Sequence, residues 1–99
     1  MYYYFPMKIF NWSAEKNQLL MNERGVSFEE ILFFLINGGL LDDLEHPNSG
    51  SYANQQVFIV AMNDYVYYVP YVETQDEIFL KTIIPSRKLT KRYLGGQTS

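Results

Sequence analysis

Five basic side chains lie close together near the end of this 99-residue chain, with no acidic residue between them: Lys81, Arg87, Lys88, Lys91 and Arg92. The three other basic residues and all eleven acidic ones lie elsewhere, so the net charge of −3 hides a polarised distribution. A patch of this kind can bind a polyanion although the whole protein is acidic. An ordinary solvated helix that carries lysines is the alternative interpretation.

These cations have the chemistry that cleavage of RNA without a metal requires. When the 2′-hydroxyl of the RNA attacks the adjacent phosphorus, the reaction needs a base, an acid, and cations for the charge that builds up. Arg87 and Lys81 are the candidates for holding the phosphate. The Arg87 guanidinium offers two parallel donors, and the Lys81 ammonium adds a second positive charge. Lys88, Lys91 and Arg92 would bind the RNA backbone from the same helix.

A proton carrier and a stacking surface complete this hypothesis. His46 is the one histidine, the side-chain type most often used as a general acid or base, and the adjacent Glu45 can orient it. A carboxylate of the sheet is the other candidate, and an exposed loop histidine without a catalytic role is the alternative for His46. Of the tyrosines at 67, 68 and 71, Tyr68 is chosen as a base-stacking residue, with core packing as the alternative.

Other classes of site are not expected. The chain has no cysteine, which excludes disulfides and zinc-thiolate sites, and no metal or other cofactor is predicted. Neighbouring carboxylates do not face each other on a helix and are interpreted as caps and solvated loop positions. These pairs are Glu29-Glu30, Asp42-Asp43 and Asp76-Glu77. No apolar run reaches the roughly 18 residues of a membrane span, and a cytoplasmic protein is predicted.

The first half of the chain predicts a strand and two helices that support these residues. Lys8–Trp12 reads as a strand, and Ser13 caps a helix that continues to Arg24 and ends at Gly25. Ser27 and Glu30 have the spacing of a capping box for a second helix. That helix is apolar nearly all round between residues 31 and 36, which predicts a buried position.

The second half predicts a long connection, three strands and a last helix. Residues 40–54 are rich in loop formers, and strands follow at 55–62, 65–72 and 77–84. Asn63-Asp64 is a two-residue hairpin turn, and Pro70 marks an edge strand or a bulge. Ser86 caps the basic helix, which extends to about Leu94.

This order, β-α-α-β-β-β-α, predicts a single α+β domain over residues 1–99. We expect its helices to lie on one face of a small, mostly antiparallel sheet. Residues 1–6 are predicted to be an N-terminal extension or an additional strand, and residues 95–99 a flexible tail.

Two stretches of the chain resemble the BrnT family of bacterial toxins. The segments Lys8–Trp12, Glu15–Asn17 and Arg24–Glu30 are similar to the opening of these proteins. The sequence from Ile83 to Arg92 resembles the family's closing Ile-Ile-Ser-Ala-Arg-Lys-Ala-Thr-Lys-Arg. Together they bracket residues 8–92, which is most of the chain.

The resemblance implies a RelE-like fold and a metal-independent ribonuclease, the toxin of a type II toxin–antitoxin pair. Its partners would be an RNA substrate and a small DNA-binding antitoxin, with which it would form a hetero-oligomer. Arg87 matches the family's arginine after the last strand, and residues 88–92 match its basic helix.

One departure from the family pattern supports an alternative. The family carries a basic residue where this chain has Thr82. This favours a binding module without catalysis that pairs with an antitoxin-like protein. Direct binding of duplex DNA through the last helix is a third hypothesis.

Overall fold

The computed structural model describes residues 3–4, 8–45 and 55–95. The strands are β1 (Tyr3–Tyr4), β2 (Lys8–Trp12), β3 (Leu40–Glu45), β4 (Gln55–Met62), β5 (Tyr65–Glu73), β6 (Glu77–Leu80) and β7 (Ile84–Pro85). The helices are α1 (Ala14–Arg24), α2 (Phe28–Phe34) and α3 (Arg87–Tyr93), and a π-helical turn, Leu35–Gly39, follows α2. The predicted α+β class is confirmed, and two of residues 1–6, Tyr3 and Tyr4, form the short strand β1.

The predicted helix boundaries are confirmed by their caps. The Ser13 side chain accepts a hydrogen bond from the Lys16 amide, and Gly25 ends α1 in the left-handed conformation with φ of 67°. Ser27 and Glu30 form both hydrogen bonds of the capping box at the start of α2. These short-range contacts satisfy backbone groups that the helix ends leave free, so the local sequence is sufficient to predict them.

The sheet is mostly antiparallel, as predicted, and contains one parallel pair of strands. Its strand order is β1-β2-β6-β5-β4-β3, with β7 paired to β5. β2 and β6 are parallel, with Phe10 beside Ile78, whereas the other pairs are antiparallel. The helices carry the chain from β2 to the far edge, and β6 returns beside β2 in the same direction.

Two strand predictions were wrong. Residues 40–45 form the edge strand β3 against β4, although they were predicted to belong to a connection. The predicted strand 77–84 is interrupted at residues 81–83, so that both Leu80 and Ile83 are buried although they are three residues apart. Pro70 lies in a central strand and not at an edge, and its carbonyl accepts from the Lys81 amide, beside this interruption.

Helices cover both faces of the sheet, so the prediction of one covered face was wrong. On the α1–α2 face, Phe28 and Ile31 belong to the same buried cluster as Phe58. On the opposite face, which we call the α3 face, α3 covers a second cluster formed by Val57, Ile59 and Val66. Because β4 is apolar on both sides, each of its faces needs a covering element.

Candidate nucleic-acid interface

A groove of about 360 Å³ runs between α3 and the strands beneath it. We call it the α3 groove. Tyr68 of β5 and the cations Lys88 and Arg92 of α3 supply its aromatic and charged lining. The other lining residues are Ile84, Pro85, Ser86 and Leu89. Three of the predicted RNA-binding residues are therefore brought together by the fold.

The start of α3 is fixed to β5 by hydrogen bonds of Ser86 and Thr90. Ser86 Oγ accepts from the Leu89 amide at 3.1 Å, and the Ser86 amide donates to the Val66 carbonyl at 3.0 Å. Thr90 Oγ1 donates to the Ser86 carbonyl and accepts from the Val66 amide at 2.8 Å. These bonds hold the helix at one rotation about its axis, which turns Lys88 toward the groove.

The positive charge of this region has no acidic partner in the described part of the chain. The salt bridge found there joins Lys8 to Glu73, far from α3 in the sequence. Lys88 and Arg92 are exposed and one helical turn apart. Their charges are therefore available to an anionic ligand.

The remaining predicted site residues lie outside the groove. Arg87 and Lys91 are exposed on α3 but do not line it. Lys81 is exposed at the end of β6, with Nζ 5.9 Å from the ring centroid of Phe79. His46 lies outside the described residues.

The tyrosines of β5 are divided between the two faces of the sheet. Tyr71 is fully buried on the α1–α2 face and stacks on Phe58 with ring centroids 3.9 Å apart. Tyr67 packs against the same core, and burial, followed by the charges of Tyr65 and Glu30, raises the pKa of its phenol. Tyr68 is therefore the one of the three that an RNA base can reach from the α3 face.

One carboxylate on the α3 face was missed by the sequence analysis. Asp42 pairs with Ile59, Ile59 with Tyr68, and Tyr68 with Ile84. Residues paired in this way point to the same face of a sheet, so the exposed Asp42 lies in the same row as Tyr68, roughly 10 Å away across β4. The register shifts between Leu40 and Asp42, and this bulge turns Asp42 toward the α3 face.

Asp43, the next residue, lies on the opposite face. Its Oδ1 accepts a hydrogen bond from the buried Tyr71 hydroxyl at 2.6 Å. Burial raises the pKa of the Asp43 carboxyl, with smaller contributions from Glu73 and Asp42, while the bond from Tyr71 acts to lower it. The sheet separates this carboxylate from the α3 groove.

Glu73 belongs to a polar depression of about 340 Å³ on that side. Lys8 Nζ lies 2.8 Å from Glu73 Oε2 and 2.6 Å from the Thr74 carbonyl oxygen. The lysine charge is therefore balanced inside the protein, and this depression lacks the surplus of positive charge found at the α3 groove.

Neither a metal-binding cluster nor a membrane-spanning helix is found in the described part of the chain. Within residues 3–4, 8–45 and 55–95, no group of three or more His, Asp or Glu side chains is placed to bind a metal ion. No helix in these ranges is long and apolar enough to cross a membrane.

Comparison of the chain with protein-family models, with curated proteins and with solved structures gives no match.

Proposed function

We propose that this protein is a metal-independent ribonuclease of the toxin type, RelE-like in fold, that acts in the cytoplasm. The proposal rests on the α3 groove, where Tyr68 lies beneath Lys88 and Arg92. An aromatic ring beside unpaired cations suits an unpaired nucleotide, whose base stacks while its phosphate is neutralised. The resemblance to BrnT toxins, carried by residues 83–92 of the same region, agrees with this assignment.

In the proposed reaction, a side-chain base accepts the proton of a 2′-hydroxyl of the bound RNA. The candidates are His46 and Asp42, the carboxylate on the same face of the sheet as the groove. The 2′-oxygen bonds to the adjacent phosphorus and the bond from phosphorus to the 5′-oxygen breaks. The products are a 2′,3′-cyclic phosphate and a 5′-hydroxyl, whose proton comes from the Lys88 ammonium. Arg92 stabilises the negative charge that builds on the phosphoryl oxygens.

A small DNA-binding antitoxin is the proposed partner, as the resemblance implies. The unpaired cations on α3 suit an acidic surface of such a protein, and a partner bound there would compete with RNA for the same charges. The complex would be a hetero-oligomer of toxin and antitoxin.

A second candidate function is RNA or partner binding without catalysis. One observation favours it: the carboxylate with the raised pKa, Asp43, lies across the sheet from the groove, and Asp42 is separated from Tyr68 by β4. A ligand must therefore span two strands to meet both Asp42 and the cations. On this alternative the same groove binds a polyanion and breaks no bond.

Induced expression in a bacterial host tests the proposal, with the wild-type chain compared with a Lys88→Ala, Arg92→Ala double variant. We expect growth arrest and fragmented RNA ending in 2′,3′-cyclic phosphates with the wild type only. Arrest and fragments that are equal in both would contradict the assignment of the groove. RNA that binds to the purified wild type and stays intact would support the binding module instead.

A further inference from the structure

The last residue of α1 reaches the strand segment that leads into the α3 groove. Arg24 Nη1 donates a hydrogen bond to the Ile83 carbonyl oxygen at 2.7 Å, across 59 positions in the sequence. Ile83 directly precedes Ile84 and Pro85, which line the groove. The guanidinium is therefore fixed beside the backbone of residue 83, one residue before the segment that lines the groove, by a contact that does not involve α3.

The charge of Arg24 is not neutralised within the described part of the chain. Its side chain makes no salt bridge there, and the residue is exposed. A guanidinium has five N–H donors, and the Ile83 carbonyl occupies one of its nitrogens. The remaining donors have the planar geometry that binds phosphate oxygens in pairs.

The position of Arg24 differs from that of the other two cations. Lys88 and Arg92 approach the groove from the helix above it, whereas Arg24 is held beside the interruption between β6 and β7. An RNA strand that places one base on Tyr68 has further phosphates on both sides of that nucleotide. One direction leads along α3, and the other leads past Ile84 toward Arg24.

We infer that Arg24 is a phosphate-binding residue at the rim of the α3 groove, where it contacts the backbone of single-stranded RNA. The inference rests on the proposed function, since it needs RNA in the groove. A single strand is required because a groove of about 360 Å³ can accept one unstacked nucleotide but not a duplex.

Binding of short single-stranded oligonucleotides tests this inference. The oligonucleotides carry 2′-O-methyl groups, which prevent cleavage, and one phosphate at a time is replaced by an uncharged methylphosphonate. The proteins are the wild type, Arg24→Gln, Arg24→Lys and Lys16→Gln. The last variant removes the same charge from the opposite end of α1.

In the wild type we expect replacement of one particular phosphate to weaken binding about tenfold, as for a charge-assisted contact. In Arg24→Gln this loss should disappear, and the salt dependence of log affinity should become shallower by about 0.7. Arg24→Lys should keep the salt dependence, and Lys16→Gln should keep the wild-type phosphate profile. A purely structural role for Arg24 would weaken binding without removing the sensitivity to one phosphate.

The outcomes of this experiment distinguish a failure of the proposed function from a failure of the inference about Arg24. If the wild type binds none of the oligonucleotides, the proposed function is wrong, and the role of Arg24 falls with it. If the wild type binds and Arg24→Gln keeps every methylphosphonate effect, the groove binds RNA and the inference about Arg24 is wrong. Should Arg24→Gln fail to fold, the phosphate profile of Arg24→Lys decides the question, because lysine lacks the paired donors of a guanidinium. A smaller effect at the same phosphate would support the contact, and an unchanged profile would contradict it.

Discussion

Asp42 and Asp43 are adjacent in the chain but lie on opposite faces of β3. Asp42 belongs to the row that contains Tyr68, whereas Asp43 accepts a hydrogen bond from the buried Tyr71 hydroxyl. The bulge between Leu40 and Asp42 sets this arrangement, because it places one additional residue opposite β4. Two side chains of the same type therefore have different neighbours, and they form a natural pair of variants.

The Asp42→Asn variant tests whether this carboxylate is the base: RNA cleavage should slow while RNA binding is kept, because the amide cannot accept the 2′-hydroxyl proton. Removal of a general base typically lowers the rate by about 10²- to 10⁴-fold. The measurement is cleavage of a labelled RNA by purified protein. Asp43→Asn is the matched control and should cleave at the wild-type rate, because the sheet separates Asp43 from the groove. Slow cleavage by Asp43→Asn together with wild-type cleavage by Asp42→Asn would place the chemistry on the α1–α2 face.

The stability of the protein should carry a pH dependence that originates at Asp43. Burial raises the pKa of this carboxyl, so the folded protein binds a proton that the unfolded chain has already lost. This contribution is complete below the ordinary aspartate range and is lost as the pH rises through the raised pKa. Asp43→Asn stays neutral and keeps an acceptor for Tyr71, so its stability relative to wild type should increase from pH 4 to pH 7.

Urea unfolding of both proteins at several pH values measures this difference. A relative stability that is constant across the range would show that the folded protein leaves the Asp43 carboxyl unperturbed. Urea unfolding of a Tyr71→Phe variant gives a second test, because the hydrogen bond from Tyr71 lowers the pKa of Asp43. Its loss should shift the pH-dependent change to higher pH.

The cations of α3 should differ in importance for RNA according to their position relative to the groove. Lys88→Ala with Arg92→Ala should weaken RNA binding more than Arg87→Ala with Lys91→Ala, because the first pair lines the groove. Both double variants remove the same charge from the same helix, so electrostatic attraction at long range is matched. Affinity at several salt concentrations is the measurement.

All four residues are exposed, so each double variant should keep the wild-type thermal midpoint. Equal losses of affinity would mean that the helix acts as a diffuse basic surface. Wild-type cleavage by Arg87→Ala alone would remove Arg87 from the group of catalytic candidates.

Gly39, at the end of the π-helical turn, should tolerate no side chain. A Cβ at this position would lie 2.7 Å from the backbone oxygens of both Ala61 and Phe34. Gly39→Ala should therefore lower the free energy of unfolding by about 1–3 kcal/mol, the usual cost of overpacking. Gly25→Asn is the comparison, because the space there is open and asparagine tolerates the left-handed conformation at φ of 67°.

Chemical denaturation of the two glycine variants gives the free energies directly. We expect Gly25→Asn to stay within about 1 kcal/mol of wild type, since only the preference for a left-handed backbone changes. A Gly39→Ala protein as stable as wild type would mean that the π-helical turn moves away from β4 at little cost.

The features predicted correctly from the sequence are those that depend on near neighbours. The caps at Ser13, Ser27 and Ser86 involve residues three positions apart, and the Asn63-Asp64 turn has positive φ at both residues. Short strands such as Lys8–Trp12 were found for the same reason. Tertiary contacts were not needed, because side chain and backbone partner are brought together by local geometry alone.

The features predicted wrongly, or not predicted at all, depend on pairing between distant segments. β3 exists because residues 40–45 pair with β4, and this pairing outweighs the weak strand preference of two adjacent aspartates. The parallel pairing of β2 with β6 joins segments about 68 residues apart, with Ile9 beside Glu77. No periodicity within either segment specifies its partner.

Some features of the candidate site are likewise set by the local sequence, and others by contacts between distant segments. By itself, the sequence determined the basic segment 81–92, its helix and its cap, because composition and spacing are local properties. Only the tertiary structure decided that Lys88 and Arg92 face Tyr68, that Asp42 shares this face, and that Arg24 is anchored beside it. The physical reason is that strand register and helix rotation are fixed by the burial of apolar residues such as Val66 and Ile83, and those contacts join residues far apart in the chain.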